Sequence, residues 1–145
     1  MKVIVSDPIS DDGLKIFYDN NIDVVDATNS TIDENYEHIP TANAWVIRSG
    51  TTLDASIISK ADKLAVIGRA GVGVDNIDIS AATRKGVVVM NTPDANTISA
   101  AEHTMALLLS LSRNVSYGHQ SILSGNWDRH KFIGSELRTK TLGII

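Results

Sequence analysis

Cysteine is absent from the 145 residues, which removes disulfides, thiolate nucleophiles and the common structural zinc sites from consideration. Aromatic residues are few: two Trp, three Tyr and two Phe, scattered along the chain, so no stacking platform for single-stranded nucleic acid is built. Positive charge is scarce as well. Thirteen Lys and Arg stand against seventeen Asp and Glu, a net charge of −4. The basic runs are no longer than a pair such as Arg84-Lys85, which argues against nucleic-acid binding driven by clustered cations. Long apolar runs are missing too. The longest, Met105 to Leu109, is far short of a bilayer span, and Met1-Lys2 leads straight into Val3-Ile4-Val5 rather than into a signal-peptide core. These absences predict a cytoplasmic protein with no nucleic-acid and no membrane partner. His38, His103, His119 and His130 share no ligand-like spacing, so no metal site is predicted.

What remains is an ordinary globular composition, 43% hydrophobic and 21% charged. Surface scaling at this mass puts the folded accessible area at roughly 7,000 Å² and buries about two-thirds of the extended chain's surface. That is enough for one core and too little for two complete domains.

Short apolar runs, mostly β-branched, recur at nearly constant spacing: Val3 to Val5, Val24-Val25, Trp45 to Ile47, Leu64 to Ile67 and Val87 to Met90. Between them lie helix-like segments: Asp11 to Asn20, Ile32 to Ile39, Leu53 to Ala61, and Ile77 to Lys85 ending at Gly86. This alternation is the pattern of βαβ units around a buried parallel sheet, and it predicts a flavodoxin-like α/β fold with five parallel strands. Asp54 and either Asp75 or Asn76 are candidate N-caps, and Gly86 after Arg84-Lys85 is a candidate C-terminal stop.

After Pro93 the texture changes. Ile98, Ala101, Met105, Leu108, Ser112, Val115, His119 and Ile122 follow helical three-four spacing, which predicts one long helix from Thr97 to Leu123, ended by Ser124 and Gly125. Its apolar surface spreads beyond one stripe and calls for a further neighbour, a second domain or another subunit; the alternative is a core helix of this same domain. The segment from Asn126 to Lys140 is polar, and Thr141 to Ile145 reads as the opening of another buried strand. The organisation predicted is a domain over 1–96 followed by a distinct segment over 97–145.

Ligands of open parallel sheets gather at the carboxyl ends of the strands. The loop after the fourth strand, Gly68-Arg69-Ala70-Gly71-Val72-Gly73-Val74-Asp75-Asn76, is the best candidate there. Gly71 and Gly73 offer positive φ and close backbone approach, and their N–H groups offer a nest for a carboxylate or phosphate ahead of a helix near Asp75. Arg48 at the end of the third strand adds a bidentate partner for the same anion. Arg69 reads equally well as an arginine that ties loops together. A receiver domain needs an acceptor Asp where Arg48 stands and a Lys where Asn91 stands, and a flavodoxin needs a hydroxyl-rich loop in place of Asp7-Pro8-Ile9-Ser10-Asp11. Neither pattern is met. No Ser sits in a strand-to-helix elbow of the G-x-S-x-G kind.

The run Val66 to Asp78, with Ala81-Ala82-Thr83-Arg84-Lys85-Gly86, Asn91-Thr92-Pro93, Asn96 to His103, Trp127 to Leu137 and Lys140 to Ile145, resembles the NAD-dependent D-2-hydroxyacid dehydrogenases. The likeness is strongest to the members that oxidise 3-phospho-D-glycerate to 3-phosphohydroxypyruvate, the entry to serine synthesis. The resemblance implies that residues 1–96 form a substrate-binding domain and that Thr97 to Leu123 crosses to a Rossmann domain and helps build a homodimer over Ile98 to Ile122. It also implies that Arg48 and Ser49 contact substrate, and that the loop Arg69, Ala70, Gly71, Val72 and Gly73 holds the substrate carboxylate. Asn96 would add a contact, Val72 would touch the nicotinamide end of NAD, and Arg129 and Lys131 would face a substrate phosphate.

In that family, Leu142 to Ile145 would begin the first Rossmann strand, followed by G-x-G-x-x-G, an acidic residue for the ribose, and the catalytic Arg, Glu and His. None of these lies within the 145 residues, and Glu102 and His103, both in the crossover helix of the family, do not replace them. The expectation is a truncated oxidoreductase, its substrate-binding part inactive alone. The alternative is a standalone module for a small carboxylate or for oligomerisation, without catalysis.

Overall fold

The computed structural model describes every residue except Asp33, Tyr36 and Ile145. Five strands form one parallel sheet: β1 (Lys2–Val5), β2 (Asp23–Asp26), β3 (Ala44–Ile47), β4 (Val66–Arg69) and β5 (Val88–Asn91), in the order β2-β1-β3-β4-β5. The flavodoxin-like α/β reading is met. Helices α1 (Asp11–Asp19), α2 (Ala55–Lys60) and α3 (Ile79–Lys85) connect strands, and a short 3-10 helix spans Ile39–Thr41. By contact, the chain divides into Met1–Asn96 and Thr97–Ile145.

Strand alternation sends side chains to opposite faces. On one face Ile4, Trp45, Ile47 and Ile67 pack with Ile58 of α2 and Ala81 and Ala82 of α3. On the other, Val3, Val5 and Ala44 pack with Leu14 and Phe17 of α1. Toward β5 this second face is open, leaving Val88 and Met90 exposed. The register Val5↔Val46, Ile47↔Arg69 and Arg69↔Asn91 aligns the carboxyl ends of β1, β3, β4 and β5.

Local chemistry explains the helix limits. Ser10 caps α1 and Asp54 caps α2, each accepting a first-turn N–H. The cap of α3 is Asp78, which accepts from Ala81 N at 2.8 Å, rather than Asp75 or Asn76. Gly86 ends α3 at φ 74°, where its lack of Cβ is needed. Lys85 Nζ donates to Ile58 O and Ser59 O, covering the carbonyl end of α2.

The helix expected over Ile32 to Ile39 does not form among the described residues, while Asp33 and Tyr36 lie outside them. Successive i+3 bonds, Asn35 N to Ile32 O and His38 N to Asn35 O, make turns instead. Pro40 disfavours α geometry at Ile39, and the Asn35 amide competes locally by donating to Ser30 Oγ and Thr31 O.

In the second unit, the single helix expected over Thr97 to Leu123 is two: α4 (Thr97–Ser112) and α5 (Val115–Leu123). Asn114 between them adopts φ 54°, a left-handed turn that Asn tolerates better than most residues. Ser135 N donates to Ser112 O at 2.7 Å, satisfying a terminal carbonyl of α4. Gly134 runs so close that a Cβ there would come within 2.6 Å of Arg113 Cα. A second 3-10 helix spans Arg129–Phe132. Residues 141–144 form no strand, lacking a hydrogen-bonding neighbour among the described residues; Ile145 lies outside them. No helix among the described residues is long and apolar enough to cross a membrane.

The core does not extend to every element, since α4, α5 and the second 3-10 helix have no buried residue.

Candidate functional site

The carboxyl ends of β1, β3, β4 and β5 carry Asp7, Arg48, Arg69 and Asn91. Arg48 is exposed, and its Nη1 donates to Pro8 O at 3.3 Å. It lines a groove of about 520 Å³ with Pro8, Ile9, Ser10, Val46 and Ala70. A second groove of about 270 Å³ is lined by Val46, Arg69, Ala70, Met90, Asn91 and Thr92. The two share Val46 and Ala70. Ser49 and Gly50 form the exposed tip of the turn after β3.

The β4 loop differs from its expected geometry. Positive φ among glycines occurs at Gly86 and Gly125, not at Gly71 or Gly73. These two are small for another reason: a Cβ on Gly71 would collide with Arg69 Nη1, and one on Gly73 would come within 2.8 Å of Asp75 Oδ1. The guanidinium of Arg69 therefore folds back over its own loop, while its Nε donates to Asn76 Oδ1 at 2.7 Å. Arg69 is thus partly the loop-tying arginine that its sequence context allowed.

The expected nest is smaller than the motif implied. Ala70 N donates to Ile47 O, and Gly71 N turns back to Arg69 O at 2.9 Å. Val72 and Gly73 are exposed, and among the described residues nothing accepts from their N–H groups, so these two are available to an anion. The loop also does not feed a helix at Asp75, because α3 begins at Ile79 with the Asp78 carboxylate already on its first turn. From the β5 side, Thr92 N donates to Gly71 O at 3.0 Å and Asn91 Nδ2 to Val72 O at 2.7 Å, which ties the loop to the end of β5.

Arg48 and Ser49 therefore lie on the turn after β3, and Arg69 ends the adjacent β4 ahead of Ala70, Gly71, Val72 and Gly73. Asn96 closes the first unit just ahead of α4. Arg129 and Lys131 belong to the second unit, where Lys131 Nζ pairs with Asp128 Oδ2 at 2.6 Å. His103 and Glu102 are exposed on α4. Among the described residues no group of His, Asp and Glu is placed to hold a metal ion.

Two residues of this region, Asp7 and Asn76, were given no site role by the sequence. Asp7, buried, accepts from Arg48 N at 2.6 Å and Thr51 N at 3.0 Å through Oδ2. Asn76 Nδ2 donates to Arg48 O at 2.6 Å and Thr51 O at 2.5 Å. The one available signal for Asp7 was its place directly after the first strand, a position where polar residues face the ligand end of the sheet.

Comparison with known proteins gives a consistent picture. The catalytic-domain family of D-isomer specific 2-hydroxyacid dehydrogenases matches residues 3–141. The chain is 47% identical to the D-3-phosphoglycerate dehydrogenase of Archaeoglobus fulgidus and 50% identical to that of Methanocaldococcus jannaschii, in both cases over all 145 residues. It spans only 28% of the length of either relative. Among solved structures, the TT0316 protein of Thermus thermophilus superimposes with a TM-score of 0.85 at 27% identity, over 94% of this chain and 46% of that one. The NAD+-bound 3-phosphoglycerate dehydrogenase of Entamoeba histolytica gives 0.67 at 30% identity, over 78% of this chain and 39% of that one.

Proposed function

We propose that this chain, which belongs to the D-isomer specific 2-hydroxyacid dehydrogenase family, is the substrate-binding part of a cytoplasmic NAD-dependent oxidoreductase acting on 3-phospho-D-glycerate. The product would be 3-phosphohydroxypyruvate, and the pathway serine biosynthesis. The observation that carries this reading is that Arg48 follows β3 and Arg69 ends the adjacent β4, ahead of the exposed Val72 and Gly73, whose N–H groups donate to nothing among the described residues. Guanidinium and backbone N–H donors together suit a carboxylate, which accepts charge-assisted bonds from both. In this reading Arg48 and Ser49 hold one end of the substrate and the loop from Arg69 to Gly73 receives the carboxylate. Asn96 adds a contact, and Arg129 and Lys131 of the second unit face the phosphate. Val72, exposed at the loop tip, meets the nicotinamide.

The residues present do not fit the rest of the dinucleotide. No G-x-G-x-x-G occurs in the sequence, and the first turn of α3, where a pyrophosphate would seek N–H donors, is occupied by the Asp78 carboxylate. The chain also carries none of the family's acid-base residues, so its own role is to bind and orient substrate, and it is inactive by itself.

Titration calorimetry of the chain with 3-phosphoglycerate tests the binding reading: measurable heat in the unsubstituted chain and its loss in Arg48→Ala are expected, and no heat overturns it. Reduction of NAD by the purified chain with 3-phosphoglycerate would overturn the inactivity.

A second reading, self-association, is favoured by a separate observation. Ile98, Met105, Leu109, Val115 and Ile122 are all half or more exposed or close to it, at 71%, 48%, 50%, 55% and 51%. We infer a homodimer through Ile98 to Ile122, since an apolar surface of this extent is rarely left to water. Light scattering that finds only monomer at high concentration refutes it.

A further inference from the structure

The turn after β3 is gripped on both of its hydrogen-bonding edges by two side chains from other parts of the chain. Asp7 Oδ2 accepts the N–H of Arg48 at 2.6 Å and that of Thr51 at 3.0 Å. Asn76 Nδ2 donates to the C=O of Arg48 at 2.6 Å and to that of Thr51 at 2.5 Å. The same two peptide positions are thus pinned at donor and acceptor alike, and the residues between them, Ser49 and Gly50, form the exposed tip.

The orientation of the Asn76 amide is forced. Its oxygen must face Arg69 Nε, a pure donor, at 2.7 Å, and its nitrogen must face two carbonyls. One side chain thereby links the Arg48 turn to the Arg69 loop. The grip of Asp7 has its own steric condition: a Cβ on Gly50 would run into Asp7 Oδ1. Ser6 supports the same corner, its Oγ accepting from Trp45 Nε1 at 2.9 Å and from Thr51 Oγ1 at 3.0 Å.

We propose that Asp7 and Asn76 are positioning residues for ligand binding: they hold the backbone of Arg48 to Thr51 so that Arg48 and Ser49 meet the substrate whose carboxylate the Arg69 loop receives. This rests on the functional reading above. A flexible arginine gains affinity only when its base is held, because ordering it at the moment of binding costs free energy that a preset turn has already met. Neither residue has to touch the ligand.

The test is titration calorimetry of the full chain with 3-phosphoglycerate. Asn76→Asp keeps size and the Arg69 contact but turns an oxygen toward the carbonyls of Arg48 and Thr51. Asp7→Ala removes the other grip, and Asp7→Asn can restore it by turning its amide oxygen to the same two N–H groups. Asp54→Ala, which removes the α2 cap, supplies comparable destabilisation away from the site. Asn76→Asp and Asp7→Ala are each expected to weaken binding about tenfold, the scale of one lost hydrogen bond. Asp7→Asn should recover most of that loss and Asp54→Ala should bind as the unsubstituted chain does. If Asp7→Ala fails to fold, Asn76→Asp with the Asp7→Asn and Asp54→Ala controls decides the question. A loss in Arg48→Ala beside unchanged affinity in Asn76→Asp overturns the positioning role alone, as does an equal loss in Asp54→Ala. No heat from the unsubstituted chain, or unchanged affinity in Arg48→Ala, overturns the functional reading and this proposal with it.

Discussion

Residues 1–96 and 97–145 answer the hydrophobic effect differently. Among the described residues, every buried side chain, from Val3 to Val87, lies in the first unit, and none lies in the second. The second unit is not short of apolar residues; α4 alone contains Met105, Leu107, Leu108, Leu109 and Leu111. The difference is in what each element can bury against. A strand in a parallel sheet has neighbours supplied by register on both sides and helices on its faces. A helix that is apolar on more than one side has no such supply and needs a partner of its own.

The sharpest way to break this contrast is to separate the units. A chain ending at Asn96 is expected to keep a cooperative urea transition by circular dichroism, and a peptide of residues 97–145 to show none. A lost transition in the shorter chain would mean that the core depends on the second unit. Next in size is a pair of truncations. Trp45→Ala, at 1% exposure with its Nε1 bonded to Ser6, should cost about 3–5 kcal/mol in chemical denaturation. Leu111→Ala, at 77% exposure, should stay within about 0.5 kcal/mol in dilute solution.

A smaller effect separates two glycines by sign. Gly86→Ala should destabilise by about 1–2 kcal/mol, because φ is 74° there although a Cβ meets nothing. Gly118→Ala within α5, with open space and no positive φ, should instead favour its helix by about 0.5–1 kcal/mol. Helicity and thermal midpoint read both. The smallest effect is on acid stability. The Ile57 N–H, then the Ser56 hydroxyl, holds the Asp54 carboxyl below its ordinary value, and the Thr28 hydroxyl and N–H do the same for Asp26. A depressed folded pKa means that the stabilisation is complete above the ordinary carboxylate range and is lost as pH falls through the folded value. Asp54→Asn, which keeps the cap oxygen without a titration, should flatten the acid limb of the stability curve and leave neutral pH nearly unchanged.

Much of the architecture was legible along the chain. The β-branched runs predict all five strands to within two residues, and Asp54 and Gly86 mark helix ends for reasons local to each. The misses also have local or tertiary causes. Pro40 and the Asn35 amide turn the segment before β3 away from a helix, and Asn114 splits an otherwise continuous helical pattern. At the site, the residue types were visible but their use was not. Gly71 and Gly73 were read for positive φ, and they serve instead to let the Arg69 guanidinium and the Asp75 carboxylate lie close to the backbone.

Periodicity, caps and family motifs are properties of neighbours in sequence, which is why order of elements, α/β class and kinship follow from the 145 letters without coordinates. The grip of Asp7 and Asn76 on Arg48 and Thr51 is of another kind. It exists because parallel register sets the ends of β1, β3 and β4 side by side, bringing together groups up to 44 positions apart. No local pattern encodes that meeting, since a buried carboxylate and a bridging amide find their partners only once the sheet has aligned the turns that carry them.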